Sequence, residues 1–311
     1  MLAIVNVIAP IFALIGLGYG AVRFKLFPAA GIDSLIAFVN NFATPCLLFY
    51  SILTSDFRAA FNLAIIGPYY FGALICFALG IFVGIRIYGN TKGEGVSSGF
   101  SAMFTNTVLV GLPIMARAYG DPAMPTVFSI IGIHGAILIT TGMLTMELMR
   151  RDGRPLGKAL LLAARRIALN PLLWGIALGL VANLLGVSLV EPVEAFLTMM
   201  AQAVVPAALF GIGGALNEYK LSDNWSQALV LSLMKLLLHP AICYVLMVLV
   251  LGVPLETARY GILLSAMPAG INSYVFATYY NRGVSVAANT ILIGTVGSAL
   301  TISMWLFLLS L

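Results

Sequence analysis

The sequence predicts an all-α integral membrane protein. It has ten transmembrane helices arranged as two inverted five-helix repeats, with the fourth and ninth helices broken and crossing. Three observations predict this. Of 311 residues, 61% are hydrophobic and only 9% charged, with a mean hydropathy of +1.05, whereas a soluble domain carries roughly 25% charged residues. The apolar residues fall into runs of about 20 or more, each enough to cross a hydrocarbon core of about 30 Å. The first half of the chain also recurs in the second.

Taken in order, the spans are Leu2–Val22, Ile32–Leu53, Leu63–Ile87, Val96–Tyr119, Met124–Met146, Ile167–Val187, Val193–Leu216, Ala228–Leu251, Thr257–Tyr280 and Val286–Leu309. The apolar run starts at Leu2 with no basic region before it and with Arg23 and Lys25 after it, so no cleavable signal is expected. Cys46, Cys76 and Cys243 lie inside spans and read as packing residues rather than a disulfide framework. The longest polar connection is 147–166. Twelve basic residues lie in odd-numbered connections: Arg23, Lys25, Arg86, Lys92, Arg150, Arg151, Arg154, Lys158, Arg165, Arg166, Lys220 and Arg282. Even-numbered connections hold only Arg58, Arg117 and Arg259. Under the positive-inside rule the odd loops and 147–166 are cytoplasmic and both termini lie outside. This placement also accounts for the net charge of +5 without a nucleic-acid partner.

The repeat is read from matches in register. Pro45, Leu48 and Phe49 recur as Pro206, Leu209 and Phe210, an offset of 161. Ser101-Ala-Met recurs as Ser265-Ala-Met at 164, and Ile131-Gly132 with Gly135 and Leu138 recur as Ile293-Gly294 with Gly297 and Leu300 at 162. Five spans per unit is an odd number, so the second unit enters the bilayer with opposite polarity. Repeat one covers 1–146 and repeat two 167–311.

The fourth and ninth spans carry helix-breaking residues near their middles. Pro removes a backbone donor and Gly tolerates unwound dihedrals, so breaks are expected around Gly111–Pro113 and Pro268–Asn272. Paired interrupted spans in corresponding positions point to a transporter's binding site. The new helix N-termini bring unpaired amides and a partial positive charge, which favours an anion. Asn106, Thr107, Gly111, Pro113, Pro268, Gly270, Ile271 and Asn272 are therefore candidate substrate-binding residues. Asn41 and Gln202, each four residues before its motif proline, are expected to complete the site from helices 2 and 7. The Asn side chains could instead satisfy carbonyls freed by the prolines.

Every Asp and Glu sits in a loop or near a span end. Carboxylate-based proton relays need intramembrane acids, and a cationic substrate is disfavoured. Sodium coordination by amides and carbonyls stays open. Lys235 is the lone deep charge, either a functional cation beside the crossing or a residue whose stem snorkels. His134 is either a proton-coupling group or a hydrogen-bonded packing residue. His239, next to Pro240, reads as structural. No motif of an intramembrane protease is present, so an enzyme is not expected, and no cofactor or metal is called for.

Asn106-Thr-x-x-x-Gly111-x-Pro113 followed by Tyr119-Gly120 resembles the fourth helix of the auxin efflux carrier family. Ala266-x-Pro268-x-Gly270-Ile271-x-x-x-Val275-Phe276-Ala277-x-x-Tyr280-Asn281 resembles its ninth, and Asn40-Asn41 ahead of Pro45 is similar too. The resemblance implies the fold shared with bile-acid symporters and broken-helix sodium/proton antiporters. It implies scaffold helices 1, 2, 6 and 7, transport helices 3–5 and 8–10, and a homodimer through the scaffold. The chain resembles compact bacterial members, associated with carboxylates such as malate or malonate. The expectation is a secondary transporter in the bacterial cytoplasmic membrane for a small organic anion (malate, malonate or an auxin-like acid), working by an elevator or rocking movement. Sodium or proton coupling is left open. The alternative is an anion channel or a sodium-coupled symporter of the same fold.

Overall fold

A computed structural model describes residues 2–54, 61–150, 157, 161, 164–165, 168–219 and 224–309, and the regular elements among them are helices. The expectations placed on Arg58, Arg151, Arg154, Lys158, Arg166 and Lys220 lie outside the described residues. The elements are α1 Leu2–Arg23, α2 Ala29–Phe38, α3 Thr44–Thr54, α4 Leu63–Phe82, α5 Lys92–Met103, α6 Leu112–Tyr119 and α7 Met124–Arg150. They continue as α8 Pro171–Leu184, α9 Glu191–Ala215, α10 Trp225–Leu233, α11 His239–Tyr244, α12 Leu255–Ser265, α13 Asn272–Tyr280 and α14 Val284–Leu309.

Among the described residues, seven helical stretches are long and apolar enough to cross a membrane: Ile4–Arg23, Ala29–Thr54, Leu63–Ile87, Asp121–Met149, Glu191–Ala215, Trp225–Val250 and Val284–Leu309. The other three expected spans differ from this pattern. The fourth is interrupted between α5 and α6, the ninth between α12 and α13. The sixth is the short apolar helix α8, 14 residues long, or about 21 Å at the helical rise. Asn170 and Pro171 start that helix, with the Asn170 side chain accepting from Leu172 N. Pro suits this first turn because its missing N–H would be unpaired there anyway.

Three of the prolines do something other than break helices. Three five-residue π turns, Val39–Ala43, Thr107–Gly111 and Met234–Leu238, each run into a helix whose second residue is proline: Pro45, Pro113 and Pro240. A proline N has no hydrogen to give, and its ring crowds the carbonyl a turn earlier. Widening the turn before it accommodates that loss without ending the helix.

Glycines set the closest helix contacts. A Cβ on Gly18 of α1 would collide with the Phe210 carbonyl of α9, and one on Gly213 of α9 with the Ile15 carbonyl. A Cβ on Gly179 of α8 would sit 2.8 Å from the Phe49 oxygen of α3, and one on Gly175 at 2.5 Å from the Pro45 oxygen. Backbones that approach this closely gain dispersion where lipid offers no hydrophobic drive for association. Gly80 and Gly99 press α4 and α5 together in the same way, with a Gly80 Cβ 2.8 Å from the Gly99 Cα.

Overpacking a tight contact costs about 1–3 kcal/mol. Gly18→Ala and Gly179→Ala are therefore expected to lower the melting temperature in detergent or prevent folding. Gly67→Ala in α4, where no heavy atom lies within 4 Å of the added carbon, is expected to hold or raise it. Equal melting of all three variants would refute the close-approach account.

Candidate functional site

The site begins with backbone groups that helices would have used. Phe104, just past α5, turns extended, and the chain after α12 passes through a turn at Ala266 before its bridging residue Ala269. Inside a membrane an unpaired N–H or C=O costs several kcal/mol. The two breaks remove that cost by pairing with each other. Asn106 N donates to Pro268 O at 2.8 Å, Gly270 N donates to Phe104 O at 3.0 Å, and Thr105 and Ala269 form an antiparallel bridge. Pro268 has no donor to offer and supplies only its carbonyl. Gly270 lies against the Phe104 ring, where a Cβ would meet Cδ1 at 3.2 Å.

Each chain then re-enters a helix. The Asn106 Oδ1 accepts from Leu109 N at 3.2 Å, and Asn106 O accepts from Gly111 N at 2.9 Å. The break in the fourth span is therefore at 104–106, not around Gly111–Pro113 as the sequence suggested. Asparagine caps the new turn, while Pro113 is absorbed by the π turn before it. In the ninth span the break at 266–271 overlaps the expected Pro268–Asn272, and α13 starts at Asn272.

Both restarted helices open on one cavity of about 250 Å³. Asn106 and Thr107 line it from one and Gly270, Ile271 and Asn272 from the other. Asn40 and Asn41 join from the turn between α2 and α3, His134 from α7, and Asn170 from the start of α8. No charged side chain lines it among the described residues. Asn106 is 5% exposed and its Nδ2 has no partner, so a buried donor is left over at the site. Asn272 is exposed at the first position of α13.

Several expected residues lie elsewhere. Gln202 is exposed on α9 and is not among the lining residues. Gly111 packs against Leu264 and Met267, and Pro113 and Pro268 are buried outside the cavity lining. Asn170 and His134's neighbour Thr105 were not singled out as lining residues from sequence. The Asn-Pro helix start at Asn170 was the available signal.

Lys235 sits apart from the cavity, fully buried in the π turn of the eighth span. Its Nζ donates to Ser265 O at 2.6 Å and to His239 Nδ1 at 2.8 Å, and His239 Nε2 donates to Tyr69 O at 2.9 Å. A carbonyl only accepts, so Nε2 bears the imidazole hydrogen and Nδ1 is the acceptor. Lys235 therefore does not snorkel. Ser265 is the last residue of α12, so the amine caps the negative end of that half-helix, and α4, α11 and α12 are joined through one side-chain chain. His239 has the structural place expected of it. Among the described residues no group of three or more His, Cys, Asp or Glu could hold a metal ion.

The profile of the membrane transport protein family matches residues 3–306. A Rhizobium meliloti protein named "Putative malonate transporter" is 28% identical over 99% of this chain and 97% of its own length. "Auxin efflux carrier component 8" of Arabidopsis thaliana is 23% identical over 99% of this chain and 98% of that protein. An "Uncharacterized transporter" of Methanothermobacter thermautotrophicus is 24% identical over 95% of each chain.

The Lys235 linkage should be visible in stability. Lys235→Met keeps the length but leaves the Ser265 carbonyl and His239 Nδ1 without their donor. Unpaired buried acceptors cost about 1–3 kcal/mol each, so a fall of about 2–6 kcal/mol is expected by thermal unfolding in detergent. Unchanged melting would show that the amine carries no structural load.

Proposed function

The chain belongs to the membrane transport protein family, and on that premise we propose that it is a secondary transporter for a small organic anion. The single observation that carries this reading is the convergence of two helix restarts on one cavity, with the spare Nδ2 of Asn106 beside them and no charged side chain in the lining. Helix N-termini present unpaired N–H groups and a partial positive charge, an arrangement suited to a carboxylate. Asn106 and Asn272 donate to it, Thr107, Gly270 and Ile271 shape the floor, and Asn41 closes the cavity from helix 2. The cavity volume of about 250 Å³ suits malonate, malate or an auxin-like acid. The name of the Rhizobium meliloti relative favours malonate among them.

The movement proposed is an elevator or rocking step across the bacterial cytoplasmic membrane. Ten spans in two inverted repeats (1–146 and 167–311) carry it, with both termini outside and 147–166 cytoplasmic. Two observations support the repeat. The contact of Gly18 with Phe210 and that of Gly179 with Phe49 are related by the same offset of 161 that relates Pro45 to Pro206. These contacts tie helix 1 to helix 7 and helix 6 to helix 2, which supports a rigid scaffold of helices 1, 2, 6 and 7. The Lys235–Ser265 and His239–Tyr69 links together with the Gly80–Gly99 contact support a transport body of helices 3–5 and 8–10. A homodimer through the scaffold follows from the family resemblance.

A charge-assisted hydrogen bond contributes roughly 1.5–3 kcal/mol, so Asn106→Ala and Asn272→Ala should each weaken substrate binding by about ten- to a hundred-fold. Asn272→Asp should be worse than Ala, because it sets a negative charge against the anion. Uptake of labelled malonate, malate and an indole acid into proteoliposomes measures the ordering. Full transport by Asn272→Asp would defeat the anion site.

A further inference from the structure

Two of the polar atoms left over around the cavity are of opposite kinds. Asn106 Nδ2 is a donor, which is what an anion wants. His134 brings the reverse. Its Nε2 lies 3.2 Å from Thr105 O; a carbonyl accepts, so Nε2 bears the hydrogen and Nδ1 of the neutral ring is a bare lone pair. The residue lines the cavity, is 3% exposed, and its Nδ1 has no partner in the protein. The carbonyl one turn earlier, Ile130 O, already accepts from the Tyr70 hydroxyl at 2.7 Å.

A carboxylate brought against that atom sets lone pair against lone pair. One proton between them turns the repulsion into a charge-assisted hydrogen bond. We propose that the site takes up its carboxylate together with one proton, held between His134 Nδ1 and a carboxyl oxygen, so that the transported species is the anion–proton pair. The inference rests on the anion-site reading above. The proton is drawn from water on the loading side and returned to water on release. Whether it sits formally on nitrogen or on oxygen, the count is the same, and no other bond forms or breaks.

The groups facing the ring leave His134 as the place for that proton. From α4 come Tyr69 and Tyr70, with ring centroids 6.0 and 6.1 Å from the imidazole. Beyond Tyr69, from the eighth span, come His239, 5.2 Å from the Tyr69 centroid, and Lys235. The fourth-span break contributes Phe104 and Thr105, and α8 contributes Asn170, none of them titratable in this range. No Asp or Glu lines the cavity among the described residues. His239 has both ring nitrogens engaged, and Lys235 is fully buried, outside the lining, with hydrogens on Ser265 O and His239 Nδ1.

Calorimetric titration of the purified protein with malonate, in buffers of different ionisation enthalpy at about pH 8, counts protons directly, since free imidazole and carboxyl groups are deprotonated there. The expected result is close to one proton taken up per malonate bound. The complex then holds more protons than its free components, so affinity falls as pH rises, by about tenfold per unit. His134→Gln supplies an amide N–H that can meet the carboxylate without a proton. It is expected to bind with near-zero uptake and an affinity flat in pH. Malonate binding to the unaltered protein without proton uptake overturns the proposal even if the variant does not fold, and so does equal uptake by His134→Gln. Failure of the unaltered protein to bind malonate, malate or an indole acid strikes the anion-site reading itself, and this inference with it.

Discussion

The rest of the molecule depends on one reciprocal backbone pairing. Two spans stop being helical in their middles, and each exposes an N–H and a carbonyl where lipid cannot satisfy them. Asn106 N meets Pro268 O, and Gly270 N meets Phe104 O. Neither interruption is tolerable alone, because each supplies the other's partners. The residues at the pairing follow from that need. Pro268 stands where only an acceptor is required, and Gly270 where a side chain would press on Phe104. Asn106 stands where a side-chain oxygen must replace the lost turn.

Breaking two helices at one place also makes four helix ends, and the structure treats the two polarities differently. The restarting ends, at Asn106 and Asn272, open on the cavity. Of the stopping ends, that of α12 is closed off by Lys235, whose amine meets the Ser265 carbonyl at 2.6 Å. Partial negative charge at that end is thus neutralised inside the protein, and partial positive charge is left facing the cavity. The buried lysine and the cavity are two consequences of one geometry, although no lysine atom lines the cavity.

Much of this was legible in the sequence, and the misreadings have particular causes. Asn106 and Asn272 could be found because polar amides beside Gly and Pro are conspicuous inside apolar runs. The break in the ninth span fell where Pro268 and Gly270 suggested. In the fourth span the proline misled. Pro113 follows a π turn that absorbs its missing hydrogen bond, and the break lies where Asn106 can cap. Gln202 matched Asn41 by position, but the two halves do not meet the cavity alike, and a repeat in sequence does not carry an identical environment. The Gly18–Phe210 and Gly179–Phe49 contacts were present in the offset pattern yet invisible as contacts, since a glycine in an apolar run does not announce which backbone it approaches. His239 bridging Lys235 to Tyr69 joins residues 170 apart at its longest link, beyond any local pattern.

On the proposed anion-site reading, the use of amides rather than fixed charges has a consequence for a site that crosses the membrane both loaded and empty. An arginine in the cavity would hold a carboxylate more strongly. It would also leave a desolvated charge behind whenever the site emptied, at a cost of several kcal/mol. Asn40, Asn41, Asn106, Asn170 and Asn272 carry no net charge in either state, so the empty cavity has only hydrogen bonds to water to lose. Helix N-termini add positive potential that is shared over backbone dipoles and cannot be left unpaired as a whole charge. On that reading such a lining would hold an anion moderately and let it go. It would also let the vacant site return without a counter-ion, which a permanently charged one could not do.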